Sequence, residues 1–304
     1  MSTRAGLGEP SVPVGPDEPL LVVAQPAPPL VPVVPASPRF AVLASPAAAA
    51  QQALAELSTR YRWVPVAEAD VLVTVGGDGT LLHALHQLVD ADRDVPVFGL
   101  HRGTTGFLLN GWRGPDDLEA RVHSSLPERV VPLRLSSCGP DGRPQSPSLA
   151  FNEVALRRTS AQSARLRLLV DDVERLPLLV GDGLVVATPA GSTAYNRSAG
   201  GPVVPLSSGV LPVTPICALR PQRWPGALVS RTSRVQVEVL DHAHRPVAVS
   251  ADGRIEERTS RVEVEEAPDQ AATLLFDAVD TLTERVLREA GAGAVLPLVL
   301  AVDG

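Results

Sequence analysis

The run Val71-Leu72-Val73-Thr74-Val75-Gly76-Gly77-Asp78-Gly79-Thr80-Leu81-Leu82-His83 places a carboxylate inside a glycine turn, between a β-branched strand and a helical pattern. Such a turn gathers unpaired backbone N–H groups and the positive end of a helix dipole at one spot, which favours an anion such as phosphate. Gly76, Gly77 and Gly79 allow close backbone approach and Thr80 can cap the helix, so these four are the candidate contacts of a phosphate donor. Asp78 fits an anion site poorly unless a cation bridges it or it has a chemical task. A general base drawing a hydroxyl toward phosphorus is such a task. The plain alternative is that Asp78 caps the helix and the glycines turn the chain, and the turn alone leaves both readings open.

A second group lies further on. Gly181-Asp182-Gly183 leads a strand, Leu184 to Thr188, that ends in Pro189-Ala190-Gly191-Ser192-Thr193-Ala194-Tyr195-Asn196-Arg197-Ser198. The hydroxyls of Ser192, Thr193, Tyr195 and Ser198 offer hydrogen bonds to a polar heterocycle or a sugar. Asn152-Glu153 begins another strand, with an amide suited to the edge of a base and a carboxylate suited to ribose hydroxyls. Ordinary strand ends carry such residues too.

Composition narrows the chemistry. The 304 residues contain no lysine, which excludes the Walker-type phosphate loop. Bound phosphate must then be held by backbone amides, arginine, histidine or a metal ion. A net charge of −7 argues against broad binding to nucleic acid. No apolar run reaches the ~18 residues of a membrane span. The apolar stretch Leu20 to Val34 is broken by prolines and lacks the charged start of a secretory signal, so a cytoplasmic location is expected. Cys138 and Cys217 are far apart with no histidine cluster nearby, indicating neither a disulfide framework nor zinc. The spaced pairs His83/His86 and His242/His244 lack a third ligand, and the sequence names no metal-holding residue.

The elements that must position these residues follow from periodicity. Residues 1–38 are dense in proline and read as an extended, disordered tail. Strands are expected at Phe40–Ala44, Val71–Val75 and Val95–Leu100, with helices over Pro46–Arg60 and Leu81–Asp90 between them. That alternation predicts an α/β domain with a parallel sheet over 39–112. After Trp112 the pattern changes to short alternating strands, such as Arg165–Leu168, Val235–Val239 and Arg261–Val264. They predict an all-β domain over 113–268. A final helix is expected across Ala271–Ala290, within a closing segment 269–304.

Taken in order, GGDGT at Gly76–Thr80, GLHRGTTGFL at Gly99–Leu108, FNEV at Phe151–Val154 and GDGLVVATPAGSTAYNRSAGGPV at Gly181–Val203 resemble the NAD kinase family. GGDGT alone is shared with diacylglycerol and sphingosine kinases and, more loosely, phosphofructokinases. The NE and GSTAY segments separate the NAD kinases from them. The resemblance implies an α/β first domain, a β-rich second domain that binds NAD, and a last helix packing back on the first. It implies transfer of a phosphoryl group from ATP or polyphosphate to the 2′-hydroxyl of the adenosine ribose of NAD, with Mg²⁺ accompanying the donor. Asp78 is then the general base and Gly79 lies against the ligand. His83 is a basic ligand contact. Asn152 and Glu153 hold the adenosine part, and Asp182 sits near the nicotinamide end. Thr193, Ala194, Tyr195, Asn196, Arg197 and Ser198 line the adenine pocket. A homodimer or homotetramer is implied, with no nucleic-acid or membrane partner. His101 stands where the family commonly has Asn, Val180 where some members have a basic residue, and Ala190 where a hydroxyl residue is frequent.

Two other readings of the same residues are a lipid or small-molecule kinase using the GGDGT turn and a non-catalytic NAD(P)-binding regulator. The first phosphorylates a lipid alcohol and ignores NAD; the second binds without forming product.

Overall fold

The computed structural model describes residues 34–103 and 106–278. The expected tail up to residue 33, and the expected final helix from residue 279 onward, lie outside the described residues.

The first unit opens with β1 (Phe40–Ala44), α1 (Ala48–Ser58), β2 (Val71–Gly76), α2 (Asp78–Asp90), β3 (Val97–His101) and β4 (Asn110–Gly111), followed by α3 (Leu118–His123) and β5 (Leu126–Val130). The β-rich part runs through β6 (Leu133–Cys138), β7 (Ser148–Ala150), β8 (Glu153–Arg158), β9 (Ala164–Val170), β10 (Val173–Gly181) and β11 (Gly183–Ala187). It continues with α4 (Tyr195–Ser198), β12 (Val210–Ile216), β13 (Ala227–Ser230), β14 (Val235–Val239), β15 (Val247–Ala251), β16 (Arg254–Glu256) and β17 (Arg261–Glu266). The last described strand is β18 (Ala272–Phe276).

The first sheet has the order β1-β2-β3-β18-β5, with β4 also pairing β3. Its first four strands are parallel, and β5 is antiparallel to β18. Parallel strands covered on both faces read as continuous apolar runs, and β2 is buried throughout. Because side chains alternate, Val71, Val73 and Val75 face α1 with Ala50, Ala53 and Leu57. Leu72 faces the other way, onto Leu81, Leu85 and Leu88 of α2.

One expectation is corrected here. Ala272–Phe276 is a buried strand in the middle of the first sheet, not the start of a helix. Leu274 and Phe276 fall on the α2 face of the sheet and Leu275 on the α1 face. The first sheet therefore takes strands from either side of the β-rich region in sequence. α2 also begins earlier than its leucine pattern suggests, at Asp78 itself.

The β-rich part holds two six-stranded antiparallel sheets, β10-β9-β14-β17-β6-β7 and β13-β12-β11-β8-β15-β16. Their facing sides share one core of Leu and Val, including Leu156, Leu166, Leu184, Val237 and Val249. β9 alternates buried and half-buried residues, as a strand with one covered face must. β11 is buried on both faces, because Val185 and Ala187 are covered on the outside by Tyr195 and Ala199. Among the described residues no helix is long and apolar enough to cross a membrane.

Candidate active site

The carboxyl ends of β1, β2 and β3 meet at one edge of the first sheet, where open α/β sheets receive ligands. β2 runs into α2 with Gly77 as the N-cap in extended backbone, so Asp78 is the first helical residue. The helix has no side-chain cap at Gly77, and Thr80 lies inside its first turn rather than capping it. Gly79 is exposed, and a β-carbon there would meet nothing within 4 Å, so no protein contact demands glycine at that position. The space beside it is open to a ligand.

The described parts of the GLHRGTTGFL segment, 99–103 and 106–108, lie against the turn. The Arg102 amide donates to the Gly76 carbonyl at 2.7 Å, and a β-carbon on Gly103 would sit 2.8 Å from the Gly77 nitrogen. Both Asp78 oxygens accept backbone amides from this segment, Oδ2 from Phe107 at 2.9 Å and Oδ1 from Leu108 at 3.0 Å. These bonds fix the carboxylate's orientation. An ionised carboxylate has about four acceptor positions, so further hydrogen bonds can still be accepted.

Three of the sequence motifs share one apolar cluster. Leu81 and Leu85 of α2, Phe107 and Leu108, Phe151, and Ala190 pack together. The NE segment and the GSTAY turn also touch directly. The Thr188 amide donates to the Asn152 carbonyl at 2.9 Å, and the Thr188 hydroxyl donates to the Phe151 carbonyl at 2.7 Å. Gly191 is pressed against the Asn152 backbone so closely that no β-carbon fits. Glu153 accepts the Tyr195 amide, while its Oε2 is buried with no hydrogen-bond partner among the described residues. Burial, reinforced by the charge of Asp252, pushes the Glu153 carboxyl up to about 7.

The pocket residues expected from sequence divide by environment. Thr193, Ala194 and Tyr195 are half-buried, and Arg197 and Ser198 are exposed on α4. Asn196 is fully buried and its amide is engaged inside the turn. It donates to the carbonyls of Ser192 and Pro202 and accepts the Thr214 hydroxyl at 2.6 Å. His83 lies on the exposed side of α2, with Nε2 3.2 Å from the Gln87 amide nitrogen. Asp182 pairs with Arg158 at 2.5 Å. It stands at the opposite end of β11 from Thr188, roughly 20 Å along the strand. Within one chain it is thus apart from the Asn152–Gly191 contact.

Two residues that sequence reasoning did not place at the site hold it together. Asp252, in the turn between β15 and β16, accepts the amides of Phe151 at 2.6 Å, Asn152 at 2.9 Å and Glu153 at 3.3 Å. His86 of α2 lies 3.0 Å from Asp252 Oδ2 and meets the Phe151 ring edge-on at 5.5 Å. In sequence, Ala251-Asp252-Gly253 signals only a hairpin turn.

Comparison with known proteins agrees with this arrangement. Residues 39–117 match the family model of the ATP-NAD kinase N-terminal domain, and residues 151–275 that of the ATP-NAD kinase C-terminal domain. The NAD kinase of Rhizorhabdus wittichii is 44% identical over 251 residues, covering 83% of this chain and 97% of that protein. The NAD kinase of Zymomonas mobilis is 43% identical, covering 83% and 96%. Among solved structures, an NAD kinase from Archaeoglobus fulgidus in complex with ATP superposes with a TM-score of 0.65 at 26% identity, covering 83% of this chain and 97% of that one. A yeast NADH kinase complexed with NADH shares the fold, with a TM-score of 0.69 at 21% identity over 86% and 90% of the two chains.

Proposed function

The chain belongs to the NAD kinase family, and from that premise we propose that it moves a terminal phosphoryl group from ATP or polyphosphate to the 2′-hydroxyl of the adenosine ribose of NAD, giving NADP. Asp78 acts as general base. It takes the proton of the acceptor hydroxyl as that oxygen bonds to phosphorus, and the bond from phosphorus to the leaving phosphate oxygen breaks. The donor's phosphates rest on Gly76, Gly77 and Gly79 and on Thr80 at the start of α2, where the Thr80 amide is itself bonded to the Gly77 carbonyl at 2.9 Å. Asn152 and Glu153 hold the adenosine, and the 193–198 turn lines the adenine. His83 and Asp182 contact the more distant parts of the dinucleotide.

The observation that supports this reading is the shared cluster of Leu81, Leu85, Leu108, Phe151 and Ala190, which joins the start of α2 to the NE and GSTAY segments. The donor set does not fit a protein-held magnesium site. Both Asp78 oxygens already accept amides, and no group of three or more His, Cys, Asp or Glu gathers among the described residues. Magnesium then accompanies the donor's phosphates as part of the substrate.

The test is NADP formation by the purified chain with Mg²⁺ and NAD, with ATP and polyphosphate in parallel. Mass spectrometry and phosphorus NMR then fix the phosphorylated hydroxyl. Folded protein that forms no NADP with either donor overturns the proposal.

A further inference from the structure

Among the described residues, His86 and Asp252 form one of two deeply buried ionisable pairs that the proposed chemistry does not use, the other being Arg121 and Asp277. The side chains of His86 and Asp252 are 7% and 1% exposed, and they come from opposite parts of the fold. Asp252 already accepts the amides of three successive residues, Phe151, Asn152 and Glu153. A carboxylate so placed is an acceptor, so Nε2 of His86 must carry the proton and donate. The bond therefore runs from α2, eight residues after Asp78, to the carboxylate that sets the backbone of the NE segment.

We infer that His86 is a positioning residue for the acceptor. Through Asp252 it holds Asn152 and Glu153 at a set distance from Asp78 on the same helix. The inference rests on the reading that Asn152 and Glu153 hold the acceptor nucleoside. The edge-on contact between His86 and Phe151 adds a second tie between α2 and that segment. Glu153, whose carboxyl Asp252 helps to push up, is anchored by the Tyr195 amide but has no partner on Oε2, so its place depends on its backbone as well. Misplacing reacting groups by ~1 Å costs about 10²-fold in rate. A loosened tether should thus show in the acceptor's parameters and not in the donor's.

The experiment compares wild type with His86→Leu, which keeps bulk without a donor, and His86→Gln, whose amide can still donate to Asp252. Expected for His86→Leu is a rise of about tenfold in both KM and Kd for NAD and a fall of at least about tenfold in kcat, with the donor KM unchanged. His86→Gln should recover most of the loss. Should Leu prevent folding, His86→Asn replaces it, since its shorter side chain falls short of Asp252. A folded His86→Leu with wild-type Kd and KM for NAD, altered only in melting temperature, overturns the inference. So does a folded His86→Gln no better than Leu. The Kd for NAD, measured without donor, decides the point even where wild type forms no NADP, an outcome that would count against the proposed chemistry instead.

Discussion

A β-carbon on Gly191 would lie 2.0 Å from the carbonyl oxygen of Asn152, so the GSTAY turn and the NE segment are in backbone contact. Neither backbone can retreat easily. Asn152 is held by Asp252, and the Gly191 amide donates to the Thr188 hydroxyl at 2.9 Å. Gly191→Ala is expected to destabilise the fold by at least about 1–3 kcal/mol, the usual cost of overpacking. Urea unfolding measures that cost, and NAD titration of the folded fraction should show weakened binding.

Asp78→Asn is expected to lower kcat by about 10²–10⁴-fold. The substitution also touches the loop, because an amide offers one acceptor oxygen where Phe107 and Leu108 both need one. A donor KM that rises alongside the loss of kcat would report that loop. Wild-type kcat in the Asn variant would end the case for Asp78 as base.

Glu153 gives a pH signature. Its carboxyl titrates at about 7 in the folded chain, against an ordinary value of 4.5. The folded state therefore binds the proton more tightly than the unfolded state. Stability from this group is complete below pH 4.5, declines as pH rises toward 7, and is lost above that by up to about 3 kcal/mol. Glu153→Gln removes this slope, so the variant should gain on wild type between pH 5 and pH 8. Urea midpoints at the two pH values measure it, and parallel curves would refute the assignment.

Asp277 tests the join at the end of β18. Arg121 bonds both its oxygens, Nε to Oδ1 at 3.1 Å and Nη2 to Oδ2 at 2.7 Å, and both side chains are buried. Asp277→Ala leaves the Arg121 charge buried and without that partner, at an expected cost of about 3–5 kcal/mol. Chemical denaturation should show the loss, while NAD affinity below the unfolding transition stays near wild type.

What the sequence disclosed, and what it hid, follows from distance along the chain. α1 and α2 were legible by their helical spacing, β1, β2 and β3 as short apolar, β-branched runs alternating with them, and Gly76–Thr80 because a turn is local. Asp78 could be picked out, but its bonds to Phe107 and Leu108 could not. Asp252 stands about a hundred residues from the segment it holds, and nothing near it marks a partner. β18 was misread for a related reason. Ala272-Thr273-Leu274-Leu275-Phe276 is a short run buried on both faces, and such a run has no period to tell strand from helix. The resemblance put Asn196 in the pocket turn, but nothing in the sequence showed that its side chain bonds Ser192, Pro202 and Thr214 within that turn.

The place of β18 bears on how the chain can be made. On a ribosome, β1, β2 and β3 emerge early, and the strand that covers β3 arrives only after some 170 further residues have been added. Until then β3 has β2 and the two-residue β4 beside it but not β18, and β5 has no strand to pair with in that sheet. Long-range pairing of this kind folds slowly and leaves strand edges exposed to wrong partners. The sheet that carries the Gly76–Thr80 turn is thus completed last, although most of it is translated first. A nascent chain arrested before residue 272 should expose that edge to chaperones, and cutting the gene between the two family-matched regions should not yield a stable first half.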